Sequence, residues 1–144
     1  MLTRELTLEN HRRFVERVTT SETVWGIRVA NGFASAESDE TAEESPDSTT
    51  VLLFWSDRAY AARARRASYP EGHVESLTLF DFLFRWLPGM RTDRVLAGTN
   101  WTGDLIGIER KPDDLQDELL EAMGASRAHD YLTRLKQAIH TGRE

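Results

Sequence analysis

Leu8, His11, Phe14, Val15 and Val18 recur at helical spacing, with Arg12, Arg13, Glu16 and Arg17 opposite them. This pattern predicts a first helix from about Leu8 to Val18, with Thr7 as its N-cap. A cluster of Thr19, Thr20, Ser21 and Thr23 ends it, and Val24 to Val29 then reads as a strand. Asn31-Gly32 is a two-residue hairpin turn, and Phe33 begins the return strand. Val51-Leu52-Leu53-Phe54-Trp55 is a continuous apolar run, the mark of a central strand covered on both faces. Ser56 or Asp57 caps a helix from about Arg58 to Ala67, whose apolar residues are alanines apart from Tyr60. Tyr69 to Gly72 is a turn, and Val74 to Leu77 a short edge strand.

Leu79 to Leu87 predicts a third helix, apolar around almost its whole circumference and so buried on most sides. Only Asp81 and Arg85 interrupt it. Thr78 is its cap, and Pro88-Gly89 is expected to end it. Asp93–Ala97 and Leu105–Ile108 read as two strands joined by the polar loop 98–104. Pro112 opens a helix carrying Leu115, Leu119 and Met123 on one stripe, stopped by Gly124. Ser126 caps a last helix, with Tyr131, Leu132, Leu135 and Ile139 expected inward. Hairpins without regular β-α alternation give an α+β class: an antiparallel or mixed sheet of about five strands with helices packed on it. The 144 residues form one domain, with an acidic insertion at about 36–50 and an appended helix at about 126–141.

Charge changes this picture in one place. Glu37, Asp39, Glu40, Glu43, Glu44 and Asp47 fall in a stretch without Lys or Arg whose composition is that of a flexible loop. The chain has 24 acidic residues; setting these six aside leaves 18 acids against 18 basic residues, so the insertion carries the whole net charge of −6. The chain has no cysteine, which excludes disulfides, thiolate metal sites and a thiol nucleophile. There is no signal-peptide core at the N-terminus and no membrane-length apolar run, so a cytoplasmic location is expected.

The chemistry-bearing residues make no familiar motif. His11, His73, His129 and His140 lack metal-site spacing, and His11 lies on the apolar side of the first helix. Asp113, Asp114, Asp117, Glu118 and Glu121 crowd one helix, as a solvated face or as a surface for a cation or a basic partner. No GxSxG, GxxxxGK[ST] or GxGxxG occurs. No cofactor is expected. Gly103 and Gly107 read as turn and strand residues. Arg58, Arg63, Arg65 and Arg66 form a basic helix face that either meets phosphates or pairs with acids of neighbouring elements or of the acidic insertion itself. Trp25, Trp55 and Trp86 sit among apolar neighbours and belong to the core. Trp101, beside Asn100 in a polar loop, either folds back as a lid on the core or stands out as an anchor for a partner.

Three stretches in order resemble a known family. They are Val24-Trp25-Gly26, then Phe54-Trp55-Ser56 leading into the alanine-rich helix, then Leu79-x-x-Phe82-Leu83-x-x-Trp86-Leu87-Pro88. Together they resemble domain-of-unknown-function family 2750 over about Phe14 to Met123. The acidic insertion and the helix after Gly124 stand outside that pattern, and Ser68-Tyr69-Pro70 stands where the family would have a tryptophan. The resemblance implies a small bacterial protein; no activity or catalytic residue comes with it.

The expectation is therefore a non-catalytic protein-interaction domain. Trp101 and Asn100 would supply an anchor, and the acids from Glu37 to Asp47 would draw a basic protein partner. An immunity or antitoxin-like protein covering a basic toxin is one concrete form. The alternative is an enzyme or small-ligand binder with a pocket between the sheet and the 79–87 helix, using His11, Asp57 or His73. Nucleic-acid contact through the arginine helix is the third and least favoured reading.

Overall fold

The structure is a computed structural model that describes residues 4–38 and 49–141. Helix α1 (Arg4–Ser21) leads into β1 (Thr23–Val29), β2 (Gly32–Phe33), β3 (Ser35–Glu37) and β4 (Thr50–Phe54). Then come α2 (Arg58–Ser68), β5 (His73–Thr78) and a continuous helix α3 over 79–93. Strands β6 (Leu96–Thr99) and β7 (Ile108–Arg110) and helices α4 (Pro112–Met123) and α5 (Ala125–Thr141) complete it. Five helices pack on two sheets in a single α+β domain. Among the described residues, no helix is long and apolar enough to cross a membrane.

One sheet has the order β2-β1-β5, all antiparallel, with β5 at its edge. The other has the order β3-β4-β6-β7 and is mixed, because β4 and β6 run parallel. The sheets are stitched where Trp25 and Trp55 exchange two backbone bonds of 2.8 Å. Ala34 continues the seam, donating to the Ile27 carbonyl and accepting from the Leu53 amide.

β4 explains its own sequence. Val51, Leu53 and Trp55 face α2, where Ala61 and Ala64 let the helix lie close. Phe54 points the other way, into the cluster under α3. A strand covered on both sides has no polar face to show, hence the unbroken apolar run. Under α3 the aromatics interlock: Phe54 meets Phe82 edge-on at 4.8 Å between ring centroids, and Phe33 stacks on Trp86 at 4.7 Å. Phe54 and Phe82, both fully buried, each contribute on the order of 1.5–3 kcal/mol, and Trp86, partly buried, contributes less.

Several sequence expectations need correction. α1 starts at Arg4, and Thr7 lies inside it, with its hydroxyl donating to the Arg4 carbonyl. Pro88-Gly89 does not end α3. The helix shifts to π-type bonding over Phe82–Trp86, with the Leu87 amide reaching back to the Phe82 carbonyl, and Pro88 falls at the start of the α-helical turns that follow. Carried one residue further, that five-residue register would pair the Pro88 nitrogen with the Leu83 carbonyl, and proline has no proton to offer. The Gln116 side chain donates there instead, at 2.8 Å. Helix α3 therefore runs on to Asp93, and the next strand begins at Leu96 rather than Asp93. The strand expected at Leu105–Ile108 is found at Ile108–Arg110, because Leu105 adopts a left-handed φ of 62° inside the loop.

Thr78 does cap α3, accepting from the Asp81 amide. Asp57 occupies the cap position of α2 without a side-chain cap bond, its carboxylate being held by Arg17 and the Ser56 hydroxyl. Gly124 ends α4 as expected, but α5 begins directly at Ala125, so Ser126 is helical and not its cap. Of the four residues expected inward on α5, Tyr131 is buried, while Leu132 is 42% and Ile139 52% exposed. The second half of α5 extends past the core that its first half covers. Asp39, Glu40, Glu43, Glu44 and Asp47 lie outside the described residues; Glu37 is exposed at the end of β3.

Candidate functional site

His11 is on the inward stripe of α1 and only 4% exposed. Its ring touches two groups from distant parts of the chain. Nε2 lies 2.8 Å from Glu118 Oε2 on α4, and Nδ1 lies 2.7 Å from Thr99 Oγ1 on β6. The other oxygen of Glu118 accepts from Arg110 Nε on β7 at 2.9 Å. One polar chain, Thr99–His11–Glu118–Arg110, thus ties two helices to two neighbouring strands.

Burial lowers the His11 pKa below its usual value, more than the Glu118 carboxylate raises it; Arg110 and Arg12 lower it further. The imidazole is therefore neutral at pH 7. A carboxylate only accepts, so Nε2 carries the proton and Nδ1 accepts from the Thr99 hydroxyl. The order hydroxyl, imidazole, carboxylate is that of a nucleophile relay. Yet Thr99 is 0% exposed, between β4 and β7, and no carbonyl carbon can approach its oxygen. As folded, the chain is a fastening in which each imidazole nitrogen and each Glu118 oxygen has a partner, and leaving the buried Thr99 or His11 unpaired would cost about 1–3 kcal/mol.

Above the fastening, α1 and α4 leave an open groove of about 430 Å³. Leu8, Val15 and Ala122 wall it, His11 and Glu118 lie at its floor, and Arg12 and Glu121 stand at its rim. A second open groove, of about 500 Å³, runs beside the second half of α3, between Trp86, Met90, Val95 and Leu52.

The residues singled out from sequence fall in separate places. Trp101 is 4% exposed and takes the lid position. Its Nε1 donates to the Ile108 carbonyl, and its own carbonyl accepts from Trp55 Nε1, both at 2.8 Å. A Cβ on Gly98 or Gly107 would lie 2.6 or 2.2 Å from the indole, so both positions must be glycine for the ring to enter. The indole therefore leaves no surface for a partner in this conformation. Asn100, with a left-handed φ of 50°, is also buried. Its Oδ1 accepts from the Ser56 amide, and its Nδ2 donates to the Asn10 carbonyl and Ser56 Oγ.

The three polar residues offered for a pocket beneath the 79–87 helix do not meet. His11 is on the α1–α4 side, and Asp57 pairs with Arg17 at the start of α2. His73 is exposed on β5 beside Arg58 and Arg65. Among the described residues, no three metal-type side chains come together. Among the described residues, Arg58, Arg63, Arg65 and Arg66 make no ion pair, although Arg65 donates to the Pro70 carbonyl; pairing with Asp39 to Asp47 falls outside the described residues.

Sequence reading missed the partners of His11, since 11, 99, 110 and 118 share no local motif. One signal was present: His11 and Glu118 are each ionisable residues on or beside the apolar stripe of a helix. No curated protein and no solved structure matches the chain. Residues 11–119, which contain the whole polar chain, match the family described as "Protein of unknown function (DUF2750)". The chain belongs to the DUF2750 family.

Proposed function

We propose that the protein is a non-catalytic binding domain that acts on a protein partner through its surface. The observation that carries this reading is the saturation of the His11 chain: both imidazole nitrogens and both Glu118 oxygens are engaged, and the Thr99 hydroxyl is sealed. The Thr99 hydroxyl cannot reach a substrate, and the Glu118 carboxylate that faces the groove is already held by His11 and Arg110. The α1–α4 groove above is open and mainly apolar, suited to a side chain projecting from another protein. The acids of 37–47 serve to draw a basic partner and speed encounter, in the cytoplasm. An immunity-like protein covering a basic toxin is one form of this function.

The test is capture from cells of the source organism with three baits: wild type, Ala122→Trp to fill the groove, and a variant with the six acids of 37–47 changed to amides. The expected result is one protein held in stoichiometric amount by wild type, depleted by Ala122→Trp, and captured more slowly by the amide variant. A small metabolite bound to wild type in native mass spectrometry and displaced by Ala122→Trp would overturn the reading in favour of a ligand-binding protein.

A further inference from the structure

Helix α2 turns an unusual face outward. Ala61 and Ala64 bury one side against the sheet. At about 100° per residue, Arg58 and Arg65 fall together on one flank of that buried side, Arg66 points away from it, and Arg63 lies on the far flank. The four guanidiniums span about 12 Å along the helix axis. Between them the surface is low: Ala59 and Ala67 are exposed and Ala62 half-buried. The helix contains no acidic residue, and its arginines have no ion pair among the described residues. Arg58 and Arg65 also wall an open groove of about 620 Å³, closed on the other side by Glu71, Gly72, His73 and Val74. Guanidiniums with no ion pair among the described residues, over a flat alanine surface, suit a backbone that comes close while presenting carboxylates to planar, forked donors.

We propose that the outer face of α2 is a docking surface for an acidic segment of another protein. Charge complementarity carries the assignment, and two observations favour carboxylates over a nucleic acid. Binding of single strands needs aromatic faces on which bases stack. The one aromatic ring of α2, Tyr60, is half-buried, and the Arg17 guanidinium lies over it at 5.9 Å. The net charge of −6 on the chain also repels a polymer as densely charged as DNA more than a short acidic peptide. This surface is separate from the α1–α4 groove, so the two can fail independently.

The experiment is fluorescence anisotropy of a labelled oligoglutamate peptide with the full chain at low salt. A single-stranded DNA oligonucleotide of equal charge runs in parallel. Arg63→Ala/Arg66→Ala removes two guanidiniums that make no hydrogen bond or ion pair among the described residues. The peptide is expected to bind about tenfold more weakly to it, with the tryptophan emission of the protein unchanged. Lys136→Ala, at an exposed cation on α5, is expected to bind as wild type does. Three results would overturn the proposal: no peptide binding, equal binding to the double variant, or tighter binding of the DNA.

Discussion

Trp101→Ala separates the lid from the anchor by magnitude. The indole is buried between Gly98, Gly107 and the Trp55 side of the core, and its Nε1 proton is given to the Ile108 carbonyl. Removing it deletes a large aromatic from a filled interior, which costs about 3–5 kcal/mol. That is a large part of the roughly 5–15 kcal/mol by which a domain is stable. With a urea m-value of about 2 kcal/mol per molar, the unfolding midpoint falls by roughly 1.5–2.5 M. Trp101→Phe keeps most of the volume and loses the bond to Ile108, for a smaller cost of about 1 kcal/mol. The assay is urea unfolding followed by far-ultraviolet circular dichroism, since fluorescence loses a reporter in both variants. An alanine variant within about 0.3 M of wild type would refute the lid, because an exposed tryptophan is the only kind that can be removed so cheaply.

Three further outcomes are expected. Gln116→Leu leaves the Leu83 carbonyl without its donor and costs about 1–2 kcal/mol in urea unfolding. The cost shrinks in a Pro88→Ala background, where a backbone N–H is restored. Because burial depresses the His11 pKa, the unfolded chain binds a proton that the folded chain refuses. Stability from His11 is thus complete above pH ~6.5 and is lost as pH falls from there toward the folded-state value. A series of urea midpoints across this window, flattened in His11→Gln, checks the sign. Leu132→Ser with Ile139→Ser changes stability by no more than about 0.5 kcal/mol, since both side chains already face solvent.

Local pattern was a good guide where one force acts alone. The run Val51–Trp55 announced a strand covered on both faces, and the small apolar residues of α2 announced close packing on the sheet. It misled where a partner distant in sequence decides. Pro88-Gly89 is a helix stop in isolation, but a π-bonded turn and the Gln116 side chain absorb the missing donor. Leu132 and Ile139 have helical spacing suited to burial, yet α5 extends past the core, and only tertiary contact could reveal that. Sequence leaves Trp101 open between a lid and an anchor because its neighbours are polar. The glycines that admit its ring, at 98 and 107, lie outside the turn proper, and their role is visible only once β6 and β7 pair. The polar chain at His11 joins residues up to 107 positions apart, so no spacing could announce it.

His11 is bonded at both ring nitrogens, and burial holds its pKa below the usual value. Nitrogen-15 NMR of the histidine ring reads its tautomer and its titration together. A single neutral tautomer with the proton on Nε2, slow exchange of that proton, and titration below the usual histidine range are predicted. A rapidly exchanging ring that titrates at or above pH ~6.5, with one nitrogen free to bind added ligand, would contradict the account.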